Sequence, residues 1–229
     1  MKLIKQLLIN KIEYPLIQTD VQLELSAFGR AEFLIKSELE LEGLVEFILG
    51  YDQLFPFFTG YIYSSQQDQK GTTRIIAREL SSVLENVVPL GLRHIYAEDL
   101  LKEVEAATGL SFLVAEDADY LKKRLPFFYH LGTARESIQC FKEWGIKQGI
   151  WSQLPDGKIF WGDYQDSPFS KKQPLIIPEE FILDRDLLDH SFSCVAIPAL
   201  RPGVRIQNEM LIESIQLLDE RMRLRWLKR

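Results

Sequence analysis

Cysteine, histidine and long apolar runs are all scarce in this 229-residue sequence. Its two cysteines, Cys140 and Cys194, are too few for a disulfide framework and lack metal-ligand spacing. We therefore predict that both are reduced residues of the core, where free cysteine is common. No stretch approaches about eighteen consecutive apolar residues, so we predict no membrane-spanning segment. Lys5 and Gln6 interrupt the apolar N-terminal run, which argues against a secretory signal peptide.

Basic blocks and linear catalytic motifs are also missing. Lysine and arginine total 27 against 33 aspartate and glutamate residues, for a net charge of −6. The densest basic run, 221–229, alternates charged with apolar residues as a strand does, so we predict no specific nucleic-acid binding. Neither a Gly-x-Ser-x-Gly motif nor a glycine-rich phosphate loop occurs. We predict a protein that is not an enzyme and has no catalytic, cofactor-binding or metal-binding residues, although many active sites leave no linear signature.

The first eighty residues have the pattern of short β-strands. Runs rich in β-forming residues occur at 33–35, 44–49, 57–64 and 72–78. The polar segment Ser65–Gly71 between the last two runs ends in glycine, as a hairpin loop does. Gly60 lies inside the third run, where glycine is unfavourable, and we predict a bulge or a close backbone approach there. Several short strands with turns between them predict a small sandwich or barrel.

The middle of the chain has helical signals. Residues 97–107 predict an amphipathic helix with Gly109 at its C-terminal cap. The predicted buried face of this helix consists of Leu100, Leu101, Val104 and Ala107. Capping-box patterns at 82–85 and 133–136 predict the starts of two further helices. The second of these is predicted to end near Gly145 after carrying inward Ile138, Phe141 and Trp144.

A hairpin is predicted at 150–161. Two apolar runs flank Pro155-Asp156-Gly157, in which proline presets φ, aspartate favours the turn and glycine accepts positive φ. The hairpin and its surroundings are rich in aromatic and acidic residues: Trp151, Phe160, Trp161 and Tyr164 with Asp156, Asp163 and Asp166. The favoured interpretation is cross-strand aromatic packing, with the aspartates as turn residues. The alternatives are a carbohydrate-binding module that uses residues 151–164, or a glycoside hydrolase with a carboxylate pair.

The last part of the chain returns to strand patterns after a polar, proline-punctuated stretch that ends at Pro178. Predicted strands occupy 192–197, 201–206, 212–217 and 222–226, the last two joined by the charged turn 219–221. We therefore predict a β-rich α+β fold with partial, tube-like β-barrel segments at both ends and a small mixed α/β module between them. The predicted regions are 1–90 and 166–229 for the barrel segments and 91–165 for the module.

Two further sets of polar residues have side chains that could serve a metal or catalytic site. The histidines, which lie far apart in the sequence, are His94, His130 and His190. A local acidic cluster consists of Asp184, Asp186 and Asp189. The histidines have no partner at metal-binding spacing, and the acidic cluster lacks the glycine bend and terminal glutamate of a calcium loop. We predict ordinary histidines and a solvated acidic turn.

Apolar residues occupy both faces of two strand-like runs, 55–58 and 125–129. A small domain that faces water more often alternates apolar and polar residues along its strands. Burial in one large core and cover by another chain are both compatible with these two runs.

Three sets of short motifs occur in order along the chain. The first consists of Gly50-Tyr51, Phe58-Thr59-Gly60-Tyr61-Ile62 and Arg74-Ile75-Ile76-Ala77-Arg78-Glu79-Leu80. The second consists of Thr108-Gly109-Leu110, Thr133-Ala134-Arg135-Glu136 and Trp151-Ser152-Gln153-Leu154-Pro155-Asp156-Gly157. The third is Leu200-Arg201-Pro202-Gly203-Val204. In this order and spacing the motifs resemble the hub proteins of phage tail baseplates, a family that includes late-control-D-like proteins and the hubs of Mu-like phages.

The resemblance implies a structural, non-catalytic, cofactor-free hub subunit that joins the tail tube to the central spike of a contractile phage or prophage tail. It also implies a homotrimer with two tube-like barrels per chain, whose partners are the tail tube and spike proteins. The expected location is the virion tail, assembled in the bacterial cytoplasm. Hubs of this type are generally longer, so the chain is expected to be a minimal hub without a fused spike or enzymatic domain.

Overall fold

The computed structural model describes residues 2–69, 71–186, 188–207 and 210–227. The strands are β1 (Ile4–Ile9), β2 (Ile12–Tyr14), β3 (Leu16–Glu24), β4 (Arg30–Ile35), β5 (Leu44–Gly50), β6 (Leu54–Gln69), β7 (Thr72–Glu79), β8 (Leu90–Ile95), β9 (Phe112–Leu113), β10 (Leu125–His130), β11 (Gly149–Gln153), β12 (Ile159–Asp163), β13 (Ile182–Asp186), β14 (Ser191–Val195), β15 (Arg205–Ile206), β16 (Met210–Leu218) and β17 (Arg221–Trp226). The α-helices are α1 (Ala97–Thr108), α2 (Ala134–Ile138) and α3 (Phe141–Trp144). The predicted β-rich α+β class is confirmed.

The chain divides into two compact units. The first comprises the residues up to Leu80 together with those from Lys172 onward, and the second is Ser81–Lys171. All three α-helices lie in the second unit. Within the described ranges, no helix is both long and apolar enough to cross a membrane. The division at 1–90, 91–165 and 166–229 stays a prediction.

A 12-stranded antiparallel sheet dominates the first unit. Its strand order is β13-β14-β17-β16-β3-β4-β7-β6-β5-β1-β2, and β15 pairs with β16 beside this path. Strands from both ends of the chain meet where β16 pairs with β3, with Leu217 opposite Val21. Through this pairing, segments about 200 residues apart in sequence become one folded unit. Over the residues that the structure describes, the hydrogen-bonded path does not close into a barrel.

The core of the first unit follows from the alternation of side chains along its strands. On β5, Val45, Phe47 and Leu49 are buried, whereas Leu44 before them and Glu46 between them are exposed. The ring of Phe47 lies 5.3 Å, centroid to centroid, from that of Phe33 on β4. Burial of one such side chain contributes about 1.5–3 kcal/mol, so the alternation determines which face of the strand forms the core.

Gly60 lies where two strand backbones approach closely, as predicted. A Cβ atom at this position would clash with the carbonyl oxygen of Arg78 in the paired strand β7. The register of the β6–β7 pair also shifts between Ile62 and Ser64, close to the glycine. Only a residue without a side chain fits this position.

The predicted hairpin loop at Ser65–Gly71 is wrong in extent. Strand β6 continues to Gln69, and Gln67 pairs with Thr73 of β7. Gln66 and Gln67 are exposed, so their polarity reflects solvation of the strand and not the absence of one. The partner strand satisfies the backbone hydrogen-bonding groups, which a polar sequence does not prevent.

The predicted strand at 201–206 is also wrong over most of its length. Only Arg205–Ile206 forms a strand, namely β15. The N–H of Val204 donates to the carbonyl of Arg201 at 3.2 Å, and Gly203 has a φ of 89°. Proline followed by glycine with positive φ is typical of a β-turn, so the chain turns here.

Helix α1 ends as predicted. The N–H of Gly109, whose φ is 74°, donates to the carbonyl of Glu105 at 2.8 Å. The predicted inward face is confirmed for Leu100, Leu101 and Val104. Ala107 is exposed, contrary to the prediction, since it lies in the last turn beyond the final buried residue of the helix.

Only one of the two predicted capping boxes starts a helix. Thr133 Oγ1 accepts from the N–H of Glu136 at 3.2 Å, and Glu136 Oε2 accepts from the N–H of Thr133 at 2.8 Å, which begins α2. The box at 82–85 does not begin a helix, because a 3-10 helix already starts at Leu80 and ends at Glu85.

The helix predicted to run from the second capping box to Gly145 is divided into α2 and α3. Gly145 ends α3 with a φ of 82°. Ile138 and Trp144 are buried as predicted, but Phe141 is only half-buried because it begins the second short helix.

The predicted hairpin of β11 and β12 is confirmed. Trp151 and Trp161 lie opposite one another in its register. The turn is closed by the N–H of Gly157, which donates to the carbonyl of Leu154 at 2.9 Å, and Gly157 has a φ of 86°. The two-residue strand β9 adds a parallel neighbour on the other side of β12.

Candidate interaction surfaces

The aromatic cluster of the β11–β12 hairpin is buried. The exposed fractions are 0% for Trp151, 0% for Trp161, 1% for Phe160 and 3% for Tyr164. Trp161 Nε1 donates to the carbonyl of Ile138 at 2.7 Å, and its ring stacks on that of Phe141. These four rings therefore offer no open face on which a sugar could stack. The interpretation as internal packing is confirmed, and the proposed carbohydrate-binding face at 151–164 is wrong.

Two of the three aspartates in this region accept hydrogen bonds from the backbone. Asp156 accepts from the N–H of Lys158 at 3.2 Å. Asp163 accepts from the N–H groups of Gln148 and Gln165, both at 3.1 Å. Both carboxylates thus stabilise local turns, which is the role that the packing interpretation assigns to them.

Asp166 differs from the other two because it lines an open depression of about 610 Å³, together with Phe160 and Lys171. Neither Asp156 nor Asp163 lines this depression. Of the three aspartates, only Asp166 therefore lines this depression. Burial, and secondarily the charge of Asp166, raises the pKa of Tyr120 to about 12, so this hydroxyl stays neutral at physiological pH.

The three histidines occupy separate local environments. His94 has a φ of 55° on β8. His130 Nε2 lies 3.8 Å from Glu136 Oε2, and the ring of His190 lies 5.9 Å from that of Trp226. Among the described residues, no group of three or more histidine, cysteine, aspartate and glutamate side chains is arranged to hold a metal ion.

The predicted acidic turn is right only in part, because Asp184 and Asp186 belong to strand β13 and only Asp189 lies in the turn that follows it. Asp186 Oδ1 accepts from the N–H groups of Leu188 and Asp189, at 3.1 and 3.0 Å. Arg223 lies 3.7 Å from Asp186 and 3.0 Å from Asp189, while Asp184 accepts from the N–H of the next residue at 2.8 Å. These carboxylates are satisfied by turn and ion-pair contacts.

The two cysteines differ in burial. Both are free thiols, as predicted. Cys194 is fully buried, and burial raises its pKa to about 12. Cys140 is only half-buried, so its assignment to the core is wrong, and its pKa is raised less, by burial and then by Glu143. Cys140 lies between α2 and α3, where the helical path is interrupted.

A buried arginine in the first unit was not predicted. Arg201 donates to the carbonyl oxygens of Leu200, at 3.1 Å, and of Pro56. Its guanidinium lies 4.6 Å from the centroid of the Phe57 ring. Burial lowers the pKa of Arg201 to about 10, and the charge of Glu79 opposes this shift. Arg201 belongs to the sequence motif 200–204, but its contact with β6 is visible only in the folded structure.

The first unit presents strand edges and an apolar groove. β2 and β13 are the two end strands of the sheet in the described part of the chain, with Ile12 and Leu183 exposed on them. A separate open groove of about 680 Å³ has an apolar lining that includes Ile176 and Phe181. Exposed edges pair readily with other chains unless they are shielded, so these are candidate assembly surfaces.

The fold is similar to those of solved phage tail proteins over the whole chain. A 43 kDa tail protein of prophage MuSo2 from Shewanella oneidensis has a TM-score of 0.71 at 10% identity, covering 100% of this chain and 98% of that one. A tail protein from Neisseria meningitidis MC58 has a TM-score of 0.70 at 13% identity, covering 100% and 97%. The E. coli c3393 protein, a type VI secretion component with structural similarity to the T4 tail proteins gp27 and gp5, has a TM-score of 0.61 at 8% identity, covering 97% and 77%.

A sequence relative also comes from a phage. It is an uncharacterized 58.7 kDa protein in the lys 3′ region of Haemophilus phage HP1, 29% identical over 220 residues. The match covers 95% of this chain and 40% of the relative, so the chain spans less than half of that protein's length. No family model matches the chain. The chain thus has the fold of phage tail proteins and of a type VI secretion component.

Proposed function

We propose that the chain is a structural, non-catalytic hub subunit of a contractile phage or prophage tail baseplate, where it joins the tail tube to the central spike. The observation that carries this proposal is the match of the whole chain to two prophage or bacterial tail proteins, at TM-scores of 0.71 and 0.70. The type VI secretion component adds support for a role in a tail, because that protein is similar in structure to the T4 tail proteins gp27 and gp5.

The proposed assembly is a homotrimer in the virion tail, put together in the bacterial cytoplasm. Strands from 1–90 and 166–229 supply two tube-like modules per chain, so that three chains present six modules around one axis. The end strands β2 and β13 are available for contacts between copies. Identical subunits that meet head to tail form a closed ring when their rotation permits.

Co-expression with the tail tube and spike proteins encoded beside this chain tests the proposal. Native mass spectrometry of the purified complex is expected to find three copies of the chain. The chain purified alone is the reference sample, and a monomer there agrees with the proposal because tube or spike proteins complete the ring. A chain that stays single in the co-expressed sample, and that hydrolyses a polysaccharide, would contradict the hub role and favour an enzyme.

A further inference from the structure

Strands β8 and β10 of the second unit form a two-stranded sheet with one open face. They pair with each other and, among the described residues, with no other strand. The inner face is buried through Leu90 and Phe128. On the opposite face Phe127 is 69% exposed and Tyr129 is 68% exposed. Exposed aromatic residues that lie together, not singly, are typical of interaction sites.

The open face contains a cleft of about 520 Å³. In the antiparallel register Tyr129 lies opposite Gly91, and Phe127 lies opposite Arg93. The two aromatic residues are two positions apart on one strand, so their side chains stand about 7 Å apart on the same face. Gly91, Arg93, Phe127 and Tyr129 all line this cleft.

Neither backbone conformation nor packing requires glycine at position 91. Its φ is not positive, and a Cβ atom there would meet no atom of the described chain within 4 Å. Glycine in the interior of a strand weakens it, and it often marks a place where a ligand or another backbone approaches closely. At Gly60 a Cβ atom would clash with a backbone carbonyl oxygen of the same sheet, whereas at Gly91 it would enter open space in the cleft.

The charge at the cleft indicates the chemistry of its occupant. Arg93 is exposed, and over the described residues no carboxylate lies within ion-pair distance of its guanidinium. Arg124, on the adjoining loop, donates to the carbonyl of His94 and has no carboxylate partner in the same described part of the chain. Positive charge is therefore uncompensated here, in a chain whose net charge is −6. A guanidinium binds a carboxylate through two parallel hydrogen bonds.

Pro126 bears on how an extended segment could bind to β10. A segment could add a strand to the edge of β10 or lie across its face. Proline has no N–H to donate and is a device that protects strand edges from pairing. The edge of β10 is thus poorly suited to strand addition, and the two exposed aromatic side chains favour the face as the binding surface.

We propose that this face docks an extended segment of a partner protein that carries an apolar side chain close to a carboxylate. The apolar side chain lies between Phe127 and Tyr129 over Gly91, and the carboxylate pairs with Arg93. The proposal rests on the proposed function only in placing this segment in another tail protein.

Overlapping 15-residue peptides that cover the tail proteins encoded beside this chain are the probes. The full chain is applied to the peptide array, and fluorescence anisotropy then measures the Kd of each peptide that binds. We expect the bound peptides to contain an acidic residue near an apolar one. Gly91→Val is expected to raise the Kd at least tenfold while the melting temperature does not fall, which separates filling of the cleft from loss of folding.

Charge reversal and a matched control complete the test. Arg93→Glu is expected to raise the Kd at least tenfold, and replacement of the peptide carboxylate by lysine is expected to restore binding to that variant. Tyr63→Ala, which removes an exposed aromatic residue of the first unit, is expected to leave the Kd unchanged.

The proposal is overturned if no peptide binds, or if binding is the same in Gly91→Val. It is also overturned if Gly91→Val changes the mass of the isolated oligomer, because a second copy of this chain would then cover the face. A tail complex that still forms with the parent chain in any of these cases leaves the hub role intact. Failure of that complex to form would instead contradict the hub role itself.

Discussion

Two hairpin-like strand pairs of the second unit, β11–β12 and β8–β10, are equally rich in aromatic residues but differ in what covers them. Trp151, Phe160 and Trp161 of the first pair are almost fully buried, and β9 adds a third strand beside them. Phe127 and Tyr129 of the second pair are more than two-thirds exposed. The number of aromatic residues in a strand pair therefore does not predict its role unless it is known whether other elements bury them.

The difference has a local structural cause. The ring of Trp161 contacts the rings of Tyr120 and Phe141, from a 3-10 helix and from α3, with centroids 5.9 and 5.5 Å away. Strand pair β8–β10 has a comparable cover on its inner face, where Phe128 stacks with Trp144 at 6.4 Å. Its outer face has none among the described residues, so the aromatic side chains there contribute little to folding and remain available for binding.

The largest expected effect separates the two pairs by stability. Trp161→Ala is expected to lower the free energy of unfolding by about 3–5 kcal/mol, because it leaves a large cavity in a packed cluster. Phe127→Ala is the matched control and should stay within about 0.5 kcal/mol of the parent. Urea unfolding followed by circular dichroism measures both values. Equal losses in the two variants would show that the exposed pair is also part of the core.

A second comparison uses the same substitution at two glycines. Gly60→Val is expected to cost about 1–3 kcal/mol or to block assembly, because the side chain cannot avoid the carbonyl of Arg78. Gly91→Val should be neutral or stabilising, since valine suits a strand and nothing in the described chain obstructs it. Melting temperatures of the two variants and the parent measure the difference in stability. A Gly60→Val protein that melts and assembles like the parent would remove the special role of that backbone position.

The smallest expected effect concerns the cap of α2, the helix that supplies the carbonyl of Ile138 to Trp161. Thr133→Ala is expected to cost about 1 kcal/mol, because the N–H of Glu136 loses its acceptor. Thr133→Ser keeps the hydroxyl and is the control. Hydrogen exchange of the Trp161 indole N–H, followed by NMR, should become faster in the alanine variant only. Unchanged exchange would mean that the buried hairpin does not depend on this cap.

Much of the local structure could be predicted because its signals lie within a few residues. Gly109 and Gly145 end helices with positive φ, and Gly157 closes the predicted hairpin. The errors arose where one local pattern is compatible with two structures. The polar residues 65–69 belong to a strand, and the Pro-Gly pair at 202–203 belongs to a turn.

The candidate surfaces were less predictable than the fold. From the sequence, the β11–β12 hairpin was a candidate binding site, but its rings are buried. For the run 125–129, burial in one core and cover by another chain were both compatible with the sequence. The structure shows that both apply, because Leu125 and Phe128 are buried while Phe127 and Tyr129 are exposed. No property of this run alone separates its buried from its exposed residues, since both kinds are apolar.

By itself the sequence determined the β-rich class, most strand positions, the caps at Thr133 and Gly109 and the constraint at Gly60. Each depends on propensity, alternation or φ preference, which act between near neighbours. Only the tertiary structure decided that β16 pairs with β3, that Arg201 is buried against β6 and that one aromatic strand pair is covered while the other is open. Pairing and burial depend on which distant segment lies alongside, and local sequence does not encode that choice.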